Sequence, residues 1–249
     1  GPLRGPVILL ATAIPLHPPP MNSNLPHFPV TQVGSWPRSE TMLDALRAHR
    51  LGRIDRAEFD GVVNDETARC IAAQHRAGVD VVVSGELGRD NFYSFITDKV
   101  DGTRLMSLAE MLDTVENKAA FEEMLDTLDV PASAIRNPTC TGKLSRREPL
   151  ALGELQRVRN LTDKPVKITL PGPYLLTRAM WVTDFSQGDV YQDKPDMAAD
   201  VVKILREELA DLAAAGADFV QFDEPVLTEI VHSGECKRPQ VGIDEGFRR

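Results

Sequence analysis

Twice in this chain a helix-like run ends in Ala-Gly, passes through a short apolar stretch containing one Asp, and delivers a carboxylate at its far end. The copies begin at Ala77-Gly78 and at Ala215-Gly216, and they end at Glu86 and at the pair Asp223-Glu224. Gly78 and Gly216 suit the left-handed residue that closes a helix, and the β-branched and aromatic run behind each suits a strand buried on both faces. A carboxylate in the middle of such a strand would carry a large desolvation cost. Glu86, Asp223 and Glu224 therefore belong at the C-terminal strand ends, where α/β barrels place their chemistry.

The same pattern reading predicts strands near 30–34, 79–84, 138–142, 166–170 and 219–222, with helices over 41–50, 60–76 and 196–215 and Asp196 as the N-cap of the last. Two helical pieces are expected within 105–128. Strands alternating with helices imply a parallel sheet. Too few residues follow Phe222 for further β-plus-α units of roughly thirty residues each, so about five units are expected, either as the front of a longer barrel or as an open sheet. Residues 1–20 read as an expression scar or non-native leader, because Pro18-Pro19-Pro20 precedes Met21, the expected native start, and no small-residue cleavage pattern follows the apolar run behind Arg4. Residues 21–249 form the partial barrel, and the Gly-, Pro- and charge-rich stretch 231–249 reads as a loop-like tail.

A formal net charge of −9 argues against nucleic acid as a partner, since such proteins concentrate Lys and Arg. No apolar run reaches the ~20 residues that span a bilayer, so no membrane partner is expected. Cys70, Cys140 and Cys236 are too few and too scattered for a disulfide framework, which fits a cytoplasmic location. Lys143, Arg146 and Arg147 read as a solvated loop that could also meet a polyanion. His75 reads as a surface or capping histidine, and His17, His27 and His49 have no partner in sequence.

Val33-Gly34-Ser35-Trp36-Pro37-Arg38 closes the first strand with a Gly that admits close backbone approach and a Ser that can hydrogen-bond a ligand. The plainer reading is a tight turn with Trp36 as a plug. Leu170-Pro171-Gly172-Pro173-Tyr174 likewise reads first as a rigid strand exit. Acids at the ends of two separate strands suit an ammonium-bearing substrate, against the alternative that one of them pairs with Arg89 or Arg178.

Those segments, with Ser84-Gly85-Glu86, Arg136-Asn137-Pro138 and Gln221-Phe222-Asp223-Glu224-Pro225, occur in an order that resembles the catalytic barrel of cobalamin-independent methionine synthase and its short single-barrel relatives. The resemblance implies a (β/α)8 TIM-type barrel, here truncated after about five β/α units. It implies methyl transfer from 5-methyltetrahydrofolate to the thiolate of homocysteine, held on zinc because the metal lowers the thiol pKa. By the same resemblance Ser35 contacts the homocysteine carboxylate beside the backbone of Val33 and Gly34, and Glu86 and Asp223 hold its amino group. Glu224 lies beside them, Glu229 stands where the family has another substrate-facing acid, and Arg136 and Asn137 stand where the pterin is contacted.

Two departures are visible. Where the family carries the Trp that stacks on folate this chain has Ala179, and the nearest candidate is Trp181. The family's His-x-Cys zinc pair is missing, and His232 with Cys236 in the tail makes a poor substitute, so no metal ligand is assigned and the 249-residue chain is expected to bind no stoichiometric zinc. Alkyl transfer to another thiol such as coenzyme M is one alternative, although a sulfonate leaves Glu86 and Asp223 without a purpose. A non-catalytic amino-acid-binding barrel fragment is another. A barrel cut after its fifth strand exposes strand edges, so self-association is expected.

Overall fold

The computed structural model describes residues 25–107, 110 and 136–227. Helices α1 (Glu40–Arg50) and α2 (Arg56–Arg76) lead into strand β1 (Val82–Val83), and a 3-10 turn over Ser94–Asp98 precedes β2 (Val100–Ser107) and β3 (Arg136–Arg146). Then come α3 (Leu152–Arg159), β4 (Val166–Pro171), α4 (Pro173–Met180), the single turn α5 (Thr183–Ser186), α6 (Lys194–Ala214) and β5 (Phe219–Asp223). The leader, the tail, the site candidate Glu229, His232 with Cys236 and most of 105–128 lie outside the described residues. Of that last segment, Leu105 to Ser107 belong to β2, and the two expected helical pieces, 111–115 and 124–128, lie outside the described residues.

The parallel sheet has the order β1-β4-β5, and Thr31 adds a parallel bridge to Val81 on the far side of β1. β4 is buried along its whole length, as a strand covered on both faces must be. The expected strand at 30–34 contracts to that bridge. The repeated sequence pattern finds its physical meaning here. Gly78 and Gly216 take φ of +74° and +81° after their helices, and the lone Asp of each copy accepts the first amide of a neighbouring segment. Asp80 Oδ2 receives Val30 N at 2.8 Å, and Asp218 Oδ2 receives Val166 N at 2.8 Å. Each Asp thus locks the N-terminal edge of one strand to the next and sets the register that brings the C-terminal acids level.

The strand expected at 138–142 forms, but not as a unit of the parallel sheet. It lies inside β3, which pairs antiparallel with β2. Gly102, at φ +79° in the bulge, has the Lys143 and Gly142 carbonyls so close that any side chain would collide with them, and this allows the hairpin to twist away. Among the described residues the parallel sheet therefore comprises three strands and the Thr31 bridge, and the hairpin is an excursion between β1 and β4.

The cap of α6 also differs from expectation. Asp193 accepts the Asp196 amide at 2.9 Å, so Asp196 is in the first turn rather than at the cap. α2 starts four residues before the predicted boundary because Asp55 and Glu58 close a capping box. The main core packs β1 and β4 against α3, α4 and α6 through Val82, Ile168, Leu170, Leu155, Leu176 and Leu205. A smaller core joins α1 to α2 through Met42, Phe59, Val63 and Leu87. The basic trio 143, 146 and 147 is absorbed by acids: Lys143 pairs with Asp200, Arg146 with Glu207, Glu208 and Asp211, and Arg147 with Asp101.

Candidate active site

Glu86 sits just past β1 with its residue only 2 % exposed. Its backbone is left-handed, φ +54°, directly after Gly85 at φ +79°. Among the described residues it is the one non-glycine with positive φ, a conformation that costs of order 1 kcal/mol and persists where the surroundings impose it. The imposition is visible. Trp36 N donates to Gly85 O at 2.9 Å, Arg38 Nη2 donates to Glu86 O at 3.2 Å, and Ser84 Oγ accepts Glu86 N at 3.1 Å. The turn after Val33 and the turn after β1 are thereby locked together, with Trp36 as the expected plug.

The Glu86 carboxylate accepts one hydroxyl on each oxygen, Ser35 Oγ on Oε2 and Thr169 Oγ1 on Oε1, both at 2.5 Å. Arg89, the neighbour most able to neutralise it, is committed elsewhere. Arg89 Nε and Nη2 make a forked pair with Glu154 at 2.7 and 3.0 Å, and its Nη1 stands 3.7 Å from Glu86 Oε1. Burial works against the Arg89 charge, but the Glu154 carboxylate outweighs it and raises its pKa; Glu154 is pushed up by burial and pulled down further by Arg89, to a net lowering. The Glu86 carboxylate thus takes its side-chain hydrogen bonds from hydroxyls, with the Arg89 guanidinium at 3.7 Å and the charges of Arg38 and Lys167 near it.

Asp223 closes β5 and faces the same region. Its carboxylate accepts Gln221 Nε2 at 2.6 Å, and its backbone carbonyl accepts Gly172 N at 2.8 Å. Burial raises its pKa first, the Gln221 bond lowers it, and the nearby Glu86 charge raises it again, for a net rise. Gly34 completes the wall: a Cβ there would collide with Glu86 Oε1 and come within 3.1 Å of Thr169 Cγ2, so a larger residue would displace the Glu86 carboxylate. Val33 is exposed and offers its carbonyl to Gln221 Nε2 at 3.0 Å.

The structure thus brings Val33, Gly34, Ser35, Glu86 and Asp223 together at the C-terminal strand ends. Glu224 is placed differently. Its oxygens accept Tyr174 N and Leu175 N at 2.7 and 2.8 Å, satisfying the free amides of the first turn of α4 and matching the positive end of its dipole. Gly172 makes room for that carboxylate, and Pro171, Gly172 and Pro173 form the rigid strand exit read from sequence. Asn137 is tied instead to the end of α4, near Trp181 in sequence. Asn137 accepts Tyr93 OH at 3.0 Å and donates to Ala179 O at 2.5 Å, two residues before the half-buried Trp181. Arg136 lies beside Asn137 at the start of β3 and is exposed.

Thr169, Arg38, Lys167 and Gln221 were not singled out from sequence. The available signal was alternation: Lys167 and Thr169 share one face of β4, and Gln221 and Asp223 share one face of β5, so polar residues at every second position in apolar strands mark the face turned to the site.

Among the described residues no group of three or more His, Cys, Asp or Glu is arranged to hold a metal ion. Cys70 and Cys140 are buried in the packing, burial pushing the Cys70 thiol up to about 11 and the Cys140 thiol upward as well, the reverse of what a zinc thiolate needs. His49 stacks on Phe59 at 4.5 Å, and His75 pairs with Thr162 at 2.8 Å. The described residues do not supply a zinc site.

A parallel sheet wound with helices, with carboxylates gathered at the C-terminal strand ends, defines an α/β protein of the barrel type. Solved structures share the fold: a B12-independent methionine synthase from Shewanella sp. W3-18-1, in complex with selenomethionine, matches 83% of this chain and 55% of its own at 22% identity and TM-score 0.57. The family described as cobalamin-independent synthase, catalytic domain, matches residues 28–245, and the chain belongs to that family, the cobalamin-independent methionine synthases. The 5-methyltetrahydropteroyltriglutamate–homocysteine methyltransferase of Chelativorans sp. (strain BNC1) is 31% identical over 87% of this chain and 25% of its own length. The methionine synthase of Saccharolobus solfataricus is 28% identical over 82% of this chain and 55% of its own. The chain spans between about a quarter and about half of these curated relatives.

Proposed function

We propose that this chain forms the amino-acid-binding part of a methionine-synthase-type methyltransferase. The observation that carries the reading is the buried Glu86 carboxylate, held by hydroxyls and close enough to Asp223, across the ends of β1 and β5, for the two charges to act on each other. Two acids in one partly dry site favour a cation between them, and the ammonium of homocysteine supplies it. Ser35, hydrogen-bonded to Glu86, is then free to rotate its hydroxyl toward the substrate carboxylate beside the Val33 and Gly34 backbone. The names of the relatives support 5-methyltetrahydrofolate as methyl donor: the methyl–N5 bond breaks as the methyl–sulfur bond forms, and the proton given up by the thiol is balanced by one taken up at N5. Zinc would activate that thiol in the family.

In this reading Arg136, Asn137 and Trp181 border the pterin, Glu229 contributes a further acid, and Glu224 acts at one remove by fixing α4. A cytoplasmic location belongs to the same proposal; among the described residues no helix is long and apolar enough to cross a membrane. Coenzyme M is disfavoured as acceptor because its sulfonate would meet two carboxylates. Calorimetry tests the reading. The chain should bind L-homocysteine and not coenzyme M, and Asp223→Asn should weaken the former; equal binding of both, or of neither, would sink it.

A further inference from the structure

The two halves of the pocket stand at opposite ends of the sheet order, the Val33 to Ser35 turn beyond β1 and Asp223 on β5. Side chains join them across the face of the sheet. Lys167 on β4 is 7 % exposed, and its Nζ donates to Gln32 O at 2.5 Å and to Gln221 Oε1 at 2.7 Å. Gln221 Nε2 in turn donates to Val33 O at 3.0 Å and to Asp223 Oδ1 at 2.6 Å. A carboxamide can present its oxygen or its NH2 group in either direction, but an ammonium has only donors, so Lys167 must face the oxygen and both N–H groups must point to Val33 and Asp223.

We propose that Lys167, acting through Gln221, is a positioning residue that sets the distance and orientation between the Ser35 and Asp223 halves of the amino-acid pocket. Burial lowers the Lys167 pKa on balance, and the Asp223 and Glu86 charges offset part of that lowering. The proposal rests on the amino-acid-binding reading, and its test separates the two.

Binding of L-homocysteine is measured by calorimetry for the wild-type chain, Lys167→Met, Gln221→Met and the double variant, each checked by thermal melt. Each single variant should bind about tenfold more weakly, the scale of one hydrogen bond to a charged group. The double variant should be no weaker than Gln221→Met alone, because Lys167 acts through that side chain. Losses that multiply would overturn the proposal. Should Lys167→Met fail to fold, the wild type decides: the Gln221 carboxamide protons should exchange far more slowly than those of Gln187 in NMR, and equal exchange would overturn it. A wild type that binds no amino acid strikes at the functional reading; the positioning role is then judged from that carboxamide protection and from the Asp223 carboxyl carbon resonance, which should move in Lys167→Met and whose constancy would count against it.

Discussion

The ends of β1 and β5 both present acids, yet they are built in contrasting ways. At β1, Glu86 is buried, backbone-constrained and held by Ser35 and Thr169, with the Arg89–Glu154 pair behind it. At β5, Asp223 is half-buried with one carboxamide on it, while its neighbour Glu224 is consumed by the α4 N-terminus. One end is fixed by the protein alone, and in the proposed reading the other takes its second partner from the ligand. That division suits a site in which one acid sets the frame and the other responds.

The largest expected effect breaks the β1 side. Arg89→Met strands Glu154 and Glu86 as buried charges and should cost about 3–5 kcal/mol by denaturant unfolding, the scale for removing one partner of a buried pair. A loss below 1 kcal/mol would mean that β1 is no more rigid than β5. Next, Glu86→Gln keeps an acceptor for one hydroxyl but removes the charge, and it should weaken L-homocysteine binding about 10- to 100-fold. A fall no larger than that of Asp223→Asn would erase the proposed division of labour.

Within the β5 end the two adjacent acids should part company. Glu224→Ala removes the cap of α4 and should cost about 1 kcal/mol of stability. Asp223→Asn should cost none, because the folded protein already penalises that charge. If the two variants melt alike, Glu224 is not the structural member of the pair.

The smallest effect is a difference of sign with pH. Glu154 has its folded pKa lowered, so its contribution is full above the ordinary carboxylate range near 4 and is lost as pH falls through its folded value. Asp223 has its folded pKa raised, so its charge costs stability above that value, and the cost is relieved as pH falls through it. Melts from neutral pH to pH 4 should show Asp223→Asn slightly more stable than wild type at neutrality, with the gap closing on acidification. Glu154→Gln should be less stable at neutrality, and its gap should narrow only at lower pH. Parallel curves for the two variants would contradict the assigned shifts.

Much of the fold was legible because its cues are local. A left-handed glycine after a helix, an apolar run of strand length and an acid beyond it follow one another along the chain, so Val79 to Glu86 and Phe219 to Glu224 could be placed without coordinates. The hairpin was misplaced for the same reason. Residues 138–142 have strand composition, but whether a strand pairs parallel with β4 or antiparallel with β2 depends on a partner some forty residues upstream and on the bulge at Gly102.

By itself the sequence determined the α/β class, the strand ends that carry acids and the family, since each depends on residue types in order. Only the tertiary structure decided what each acid does. Asp223 and Glu224 are adjacent in sequence, and strand alternation turns one toward Gln221 and Glu86 while the other reaches back to α4. The link from Gln32 through Lys167 and Gln221 to Asp223 spans most of the chain, and no local periodicity encodes it. Hydrogen bonds are chosen by distance and direction in the folded state, and these are settled only when the strands have packed side by side.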